Sequence, residues 1–203
     1  MTAIAPSPRL VLADRVLPRR LATDLALVAG GALLTALLAQ VSIPLWPVPI
    51  TGQTLAVLLV GASLGAVRGG ASLLLYALLG FAGLPFYAPQ PDGSHLTGLV
   101  ALAAPSFGFI VGFIPAAAFV GWLSERTWDR KFLKALATFA GGSLVVFAIG
   151  LPWLAVVTGA NLEQTLEWGL YPFIVGGIIK AVIAAILLPL AWKGADAIAA
   201  RRD

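Results

Sequence analysis

The sequence predicts an all-α integral membrane protein: six transmembrane helices in one bundle, with both termini cytoplasmic. Three observations carry this expectation. Hydrophobic residues make up 60% of the 203-residue chain and charged residues 11%, against roughly 45–50% and 25% in soluble domains, and the mean hydropathy is +0.96. The apolar residues form long continuous runs rather than alternating strands of about ten residues, which excludes a transmembrane barrel. The basic residues gather in alternate connectors, the positive-inside pattern of a multi-pass membrane protein.

Residues 1–20 read as a cytoplasmic tail carrying Arg9, Arg15, Arg19 and Arg20, residues 21–193 as one membrane domain, and 194–203 as a second tail. The polar, basic start has no apolar core of a cleaved signal peptide before the first span. That span covers Asp24 to Gln40, with small residues at Ala22, Ala26 and Gly30 and at Ala32 and Ala36. Small residues four apart let another helix approach closely, either inside the bundle or from a second membrane protein. Pro44, Pro47 and Pro49 then rule out a regular helix in the uncharged segment 41–54. The second span runs from Thr51 to Leu64, the tight turn GAVRGG carries Arg68, and a short third span covers Ala71 to Leu84. The connector Pro85 to Gly98 is long and polar, as binding loops and lids often are.

Leu99 to Leu123 forms the fourth span, which Pro105 and Pro115 are placed to break or kink. A charged connector, ERTWDRKFLK, leads to the fifth span, Phe132 to Val157, with an expected interruption at Gly150–Trp153. Thr158 to Gly169 reads as a solvated loop with Asn161, Glu163 and Glu167. The sixth span, Tyr171 to Trp192, holds one lysine, Lys180, near its middle. The tail, the Arg68 turn, the charged connector and the C-terminus hold every Lys and Arg except Lys180; the three connectors on the other side hold none. This distribution accounts for the pI near 9.9 as topology. It leaves membrane lipid headgroups, not nucleic acid, as partners of the basic loops.

Lys180 is the main functional signal. A cation near the middle of hydrocarbon costs at least ~2.5 kcal/mol and calls for a partner or a wet cavity. Gly176 and Gly177, one turn before it, remove bulk on the same face. The pattern suits a concavity holding an anionic ligand such as a carboxylate; the competing reading is a lysine satisfied by protein groups alone. Gln53, Thr51 and Thr54 are candidates for polar ligand contacts, with helix capping as the alternative. Tyr76, Tyr87, Trp153 and Tyr171 are candidates for an apolar wall, and His95 for a loop residue or a ligand contact. There is no cysteine, no HExxH, no GxSxG and no phosphate-binding Gly-rich loop ending in Lys-Ser or Lys-Thr, so the chain is expected to be no enzyme and to need no metal or cofactor. Binding and passage of a small molecule remain.

Several stretches resemble the BioY family, the biotin-binding S components of energy-coupling factor (ECF) transporters. They are QVSIPLWPVPITGQTLAVLLVGASLG (40–65), RGGASLLLYALLGFAGLPFYA (68–88), APSFGFIVGF (104–113), GLPWLA (150–155) and YPFIVGGIIKA (171–181). The resemblance implies a six-helix vitamin-binding subunit with cytoplasmic termini. It also implies partners, a transmembrane T component and two ATP-binding-cassette ATPases, or solitary function without them. Ala32 and Ala36 are the counterparts of the family's Ala-xxx-Ala motif that docks the T component. Lys180 matches the lysine of the family's P-G-D-x-x-K motif, whereas Gly177 stands where the family has an acid that reads the ureido group. Phe109 stands where a tyrosine is usual, and Ser94, His95 or Thr97 are candidates to replace the family's polar loop contact. Two ligand readings stay open: biotin held through other groups, or a different small carboxylate. Outside an ATP-driven importer, a standalone carrier and a non-binding assembly subunit are the alternatives.

Overall fold

The computed structural model describes residues 10–90 and 92–200; Arg9, Arg201 and Arg202 of the expected tails lie outside them. Helices dominate, in the order α1 (Leu12–Val16), α2 (Leu21–Gln40), α3 (Gln53–Leu64), α4 (Ala66–Phe81), α5 (Gly98–Leu102), α6 (Phe107–Ser124), α7 (Phe132–Thr158), α8 (Leu162–Gly169) and α9 (Tyr171–Ala199). The proline-rich segment after α2 folds into a two-stranded antiparallel ribbon, β1 (Ser42–Ile43) and β2 (Ile50–Thr51), pairing Ser42 with Thr51. Prolines between the strands bar a helix, and the ribbon closes on Gly52, whose N–H donates to the Val41 carbonyl at 2.8 Å.

Among the described residues, four helical segments are long and apolar enough to cross a membrane: 21–40, 107–124, 132–158 and the run 162–199. The apolar helices α3 and α4, of 12 and 16 residues, are shorter. At 1.5 Å per residue, α3 reaches only about 18 Å, well short of a ~30 Å hydrocarbon core. The expected fourth span divides, as Pro105 suggested, into α5 and α6, while Pro115 sits inside an unbroken helix. The expected break at Gly150–Trp153 does not occur: α7 runs through Pro152 for 27 residues. One proline removes one backbone bond, which a long membrane helix tolerates when its neighbours pack around it. The segment 158–169 is not an open loop. Asn161 accepts from the Gln164 N–H at 2.9 Å and the Gln164 side chain accepts from the Asn161 N–H at 3.1 Å, a capping box that starts α8.

Two clusters of buried side chains build the core. One joins α2, α3, α4, α6 and α7; the other seats Leu58 of α3, Val120 of α6 and Phe139 of α7 against Ala181, Ala184, Ala185 and Leu188 of α9. The helices approach closely where glycine leaves room. A Cβ on Gly108 would lie 2.1 Å from Cβ of Trp153, and one on Gly121 would lie 2.3 Å from the Gly65 carbonyl carbon. Gly65 alone links α3 to α4, at φ +87°, a backbone conformation that side chains disfavour.

The tail is ordered where it is described. Asp14 of α1 accepts from Arg19 at 2.6 Å and from Arg68 at 2.7 Å, and Arg68 also donates to Asp24 at 2.9 Å. Arg15 pairs with Asp196 near the end of α9 at 2.8 Å. The N-terminal segment therefore lies across the ends of α2, α4 and α9, and α9 continues through Lys193 into the expected second tail. We call this the terminal end of the bundle.

Candidate ligand-binding cavity

Away from the terminal end, a cavity opens between β2, α3, α6, α7, α9 and the 87–96 loop, with about 900 Å³ of empty space including its mouth. Its wall is largely apolar. Phe107, Phe109 and Phe113 come from α6, Phe147 from α7 and Phe173 from α9; Phe109 and Phe173 stack at 6.2 Å between ring centroids. The polar groups are few: Thr51, Gln53, Thr54, Gln90, Ser106, Ser143 and Lys180.

Lys180 is half-buried in this wall. Its ammonium donates to the Thr51 carbonyl at 2.6 Å and to the Thr54 hydroxyl at 3.0 Å. Both acceptors are neutral, and no carboxylate pairs with it among the described residues. An ammonium has three protons, so a donor remains beyond these two bonds. Gln53 is locked by its neighbours. Its Oε1 accepts from the Thr51 hydroxyl at 2.7 Å, and its Nε2 donates to the hydroxyl of Tyr76. Tyr76 is fully buried and stands behind Gln53, outside the lining. It is braced by Phe86, stacked on it, and by Tyr87, edge-on.

The sequence candidates thus separate. Lys180, Gln53 and Gly177 line the cavity, with Thr51, Thr54 and Tyr87. A Cβ at Gly177 would meet nothing within 4 Å, so the missing acid leaves open space. Gly176 lies beside Ile50, outside the lining. Trp153 is also outside: it donates to the Ala104 carbonyl at 3.1 Å and packs on Phe107, so it holds the wall from behind. Tyr171 is 56% exposed at the start of α9 and adds nothing to the wall. His95 works through the loop, its Nδ1 lying 2.8 Å from the carbonyl oxygen of Tyr87. Tyr87 in turn donates to the Ala77 carbonyl at 2.5 Å, and burial pushes its hydroxyl up to about 12. Ala32 and Ala36 are 1% and 7% exposed, packed inside the bundle; the small residues of α2 that face outward are Ala22, Ala26 and Gly30.

The five wall phenylalanines and Ser143 had little sequence signal. Helices apolar all round give no facing direction, so which of ten phenylalanines line the cavity is decided by packing.

A family model described as the BioY family matches residues 10–197. The chain belongs to the BioY family. The biotin transporter BioY of Rhizobium etli is 37% identical over 169 residues, covering 80% of this chain and 87% of that protein. A probable biotin transporter BioY of Pyrococcus horikoshii is 37% identical over 167 residues, covering 82% and 94%. The fold is shared with a crystal structure of the S-component for biotin from an ECF-type ABC transporter, at a TM-score of 0.72 and 23% identity, over 85% of this chain and 92% of that one. This BioY-family chain is a membrane protein.

Proposed function

We propose that this chain is the substrate-binding membrane subunit of a biotin importer, and that biotin occupies the cavity with its carboxylate at Lys180. The observation that carries the reading is the unpaired charge. Among the described residues, Lys180 donates only to a carbonyl and a hydroxyl in a largely apolar wall. Desolvating a cation there is costly, and an incoming carboxylate supplies the missing negative charge. The named transporters among its relatives support biotin as the ligand.

In this reading α2, α3, α4, α6, α7 and α9 are six spans, with both termini cytoplasmic because every described base except Lys180 belongs to the terminal end or its flanks. The fold shared with an ECF S-component supports a T component and two ATPases as partners. Docking is assigned to the outward face of α2 at Ala22, Ala26 and Gly30, since Ala32 and Ala36 are spent on internal packing. Equilibrium binding of labelled biotin to the purified chain in detergent tests the ligand. Saturable binding by the wild type is expected; its absence, with the protein folded, overturns biotin.

A further inference from the structure

The connector between α6 and α7 sorts its charges by sign. Its two acids turn inward. Glu125 accepts from the Ala66 N–H at 2.9 Å. Asp129 is fully buried and accepts from the Trp192 indole N–H at 2.5 Å, which fastens the connector to α9. The bases stay out: Arg130, Lys131 and Lys134 are exposed and Arg126 half-exposed. None of the four is in an ion pair among the described residues.

Three of these bases lie over tryptophan rings. The Arg126 guanidinium carbon is 3.8 Å from the centroid of Trp122, that of Arg130 is 4.0 Å from Trp192, and the Lys134 ammonium is 5.7 Å from Trp128. Stacking uses a guanidinium's face; Arg126 spends one N–H on the Trp122 carbonyl at 2.7 Å and Arg130 one on the Leu10 carbonyl at 3.5 Å, which leaves the rest of each N–H edge for acceptors. Trp122 and Trp128 are themselves 44% and 36% exposed. Since α6 and α7 are both long and apolar enough to cross a membrane, the short connector sits at a membrane surface. Tryptophan favours that depth, and anionic headgroups are the acceptors found there.

We propose that this connector is a binding site for anionic phospholipid headgroups, with Arg126, Arg130, Lys131 and Lys134 donating to phosphate and Trp122 and Trp128 set among the upper acyl chains. The exposed tryptophans beside the bases favour a lipid over an acidic protein surface. The site is remote from the cavity and does not depend on the identity of the transported ligand.

The test is thermal unfolding of the purified full chain in neutral detergent with added phosphatidylglycerol or phosphatidylcholine. Phosphatidylglycerol is expected to raise Tm by ~3 °C or more and phosphatidylcholine to leave it unchanged. Arg126→Gln/Lys131→Gln/Lys134→Gln should lose most of the shift, while Arg20→Gln, a base outside the connector, keeps it. If the triple variant fails to fold, the wild type at raised salt serves instead, because screening weakens exposed charges and should shrink the shift. Equal shifts with both lipids, or a full shift in the triple variant or at high salt, overturn the proposal. So does a matching shift from inorganic phosphate alone or from polyglutamate.

Discussion

At the terminal end, Arg68 has carboxylates at 2.7 Å and 2.9 Å, from Asp14 and Asp24. In the cavity wall, Lys180 has a carbonyl at 2.6 Å and a hydroxyl at 3.0 Å and, among the described residues, no acid. Both side chains are charged and partly withdrawn from water, yet only one is neutralised by the protein. The difference teaches how to separate a charge that the protein completes from one that it leaves open to a ligand's charge. Arg68 is complete without a ligand, and its pairs fasten α1 and α2 to α4. Lys180 is hydrogen-bonded well enough to be held in place and left short of one negative charge.

The largest expected effect is on the unpaired side. Lys180→Ala should cost about 2–5 kcal/mol of biotin binding, the range for removing one partner of a buried charge pair, with little loss of Tm. Isothermal titration and thermal unfolding read the two quantities, and unchanged affinity would sink the assignment of Lys180 as the anchor.

On the paired side the order reverses. Asp14→Asn should cost about 1–3 kcal/mol of stability, because the Asp14 side chain is 1% exposed beneath two arginines, and should leave biotin affinity alone. Burial pushes the Asp14 carboxyl up, but the hydrogen bonds from Arg19 and Arg68 outweigh it and hold the group below the usual 3.8. A depressed carboxyl stabilises the fold above its unfolded value, and that contribution is lost as pH falls from 3.8 through the folded value. The wild type's advantage in stability over Asp14→Asn should therefore be full above pH 3.8 and shrink as pH falls below it; an identical pH slope in both would refute the pairing.

Tyr76→Phe sharpens the contrast within the cavity. It removes the acceptor of the Gln53 amide without touching the lining. A loss of about 1–2 kcal/mol is expected, appearing in both Tm and biotin affinity because Gln53 belongs to both the core and the wall. A change confined to Tm would take Gln53 out of ligand binding.

The smallest effect belongs to Asp129. Burial raises its carboxyl, and the hydrogen bond from Trp192 offsets only part of that; Oδ1 has no partner among the described residues. A raised carboxyl carries no penalty at low pH and a growing one as pH rises above 3.8 through the folded value. Asp129→Asn should thus be neutral or stabilising at pH 7, by up to about 1 kcal/mol, and chemical denaturation at pH 4 and 7 should show its advantage growing with pH.

Lys180 stood out in the sequence because a lone cation in a 22-residue apolar run is costly wherever the run packs. Hydropathy likewise marked the membrane class, and prolines marked the non-helical stretch between α2 and α3 and the split before α6. These are local properties, set by composition and by backbone chemistry along the chain. Pro152 was misleading because a missing N–H signals a break only when surrounding helices do not support the backbone. Ala32 and Ala36 were equally suited to internal and external packing, and only the bundle placed them inside.

What the sequence by itself determined, then, was an all-helical membrane chain with one stranded positive charge and a resemblance to a transporter family. Only the tertiary structure decided that Thr51 and Thr54 meet Lys180, that Tyr76 serves Gln53 from behind, and that Trp153 and Tyr171 stay out of the lining. Those relations join residues more than 120 positions apart in the case of Lys180. A helix that is apolar on every side carries no record of which side faces a neighbour, so the choice falls to close packing at glycines such as Gly108 and Gly121 and to the few hydrogen bonds available inside the bundle.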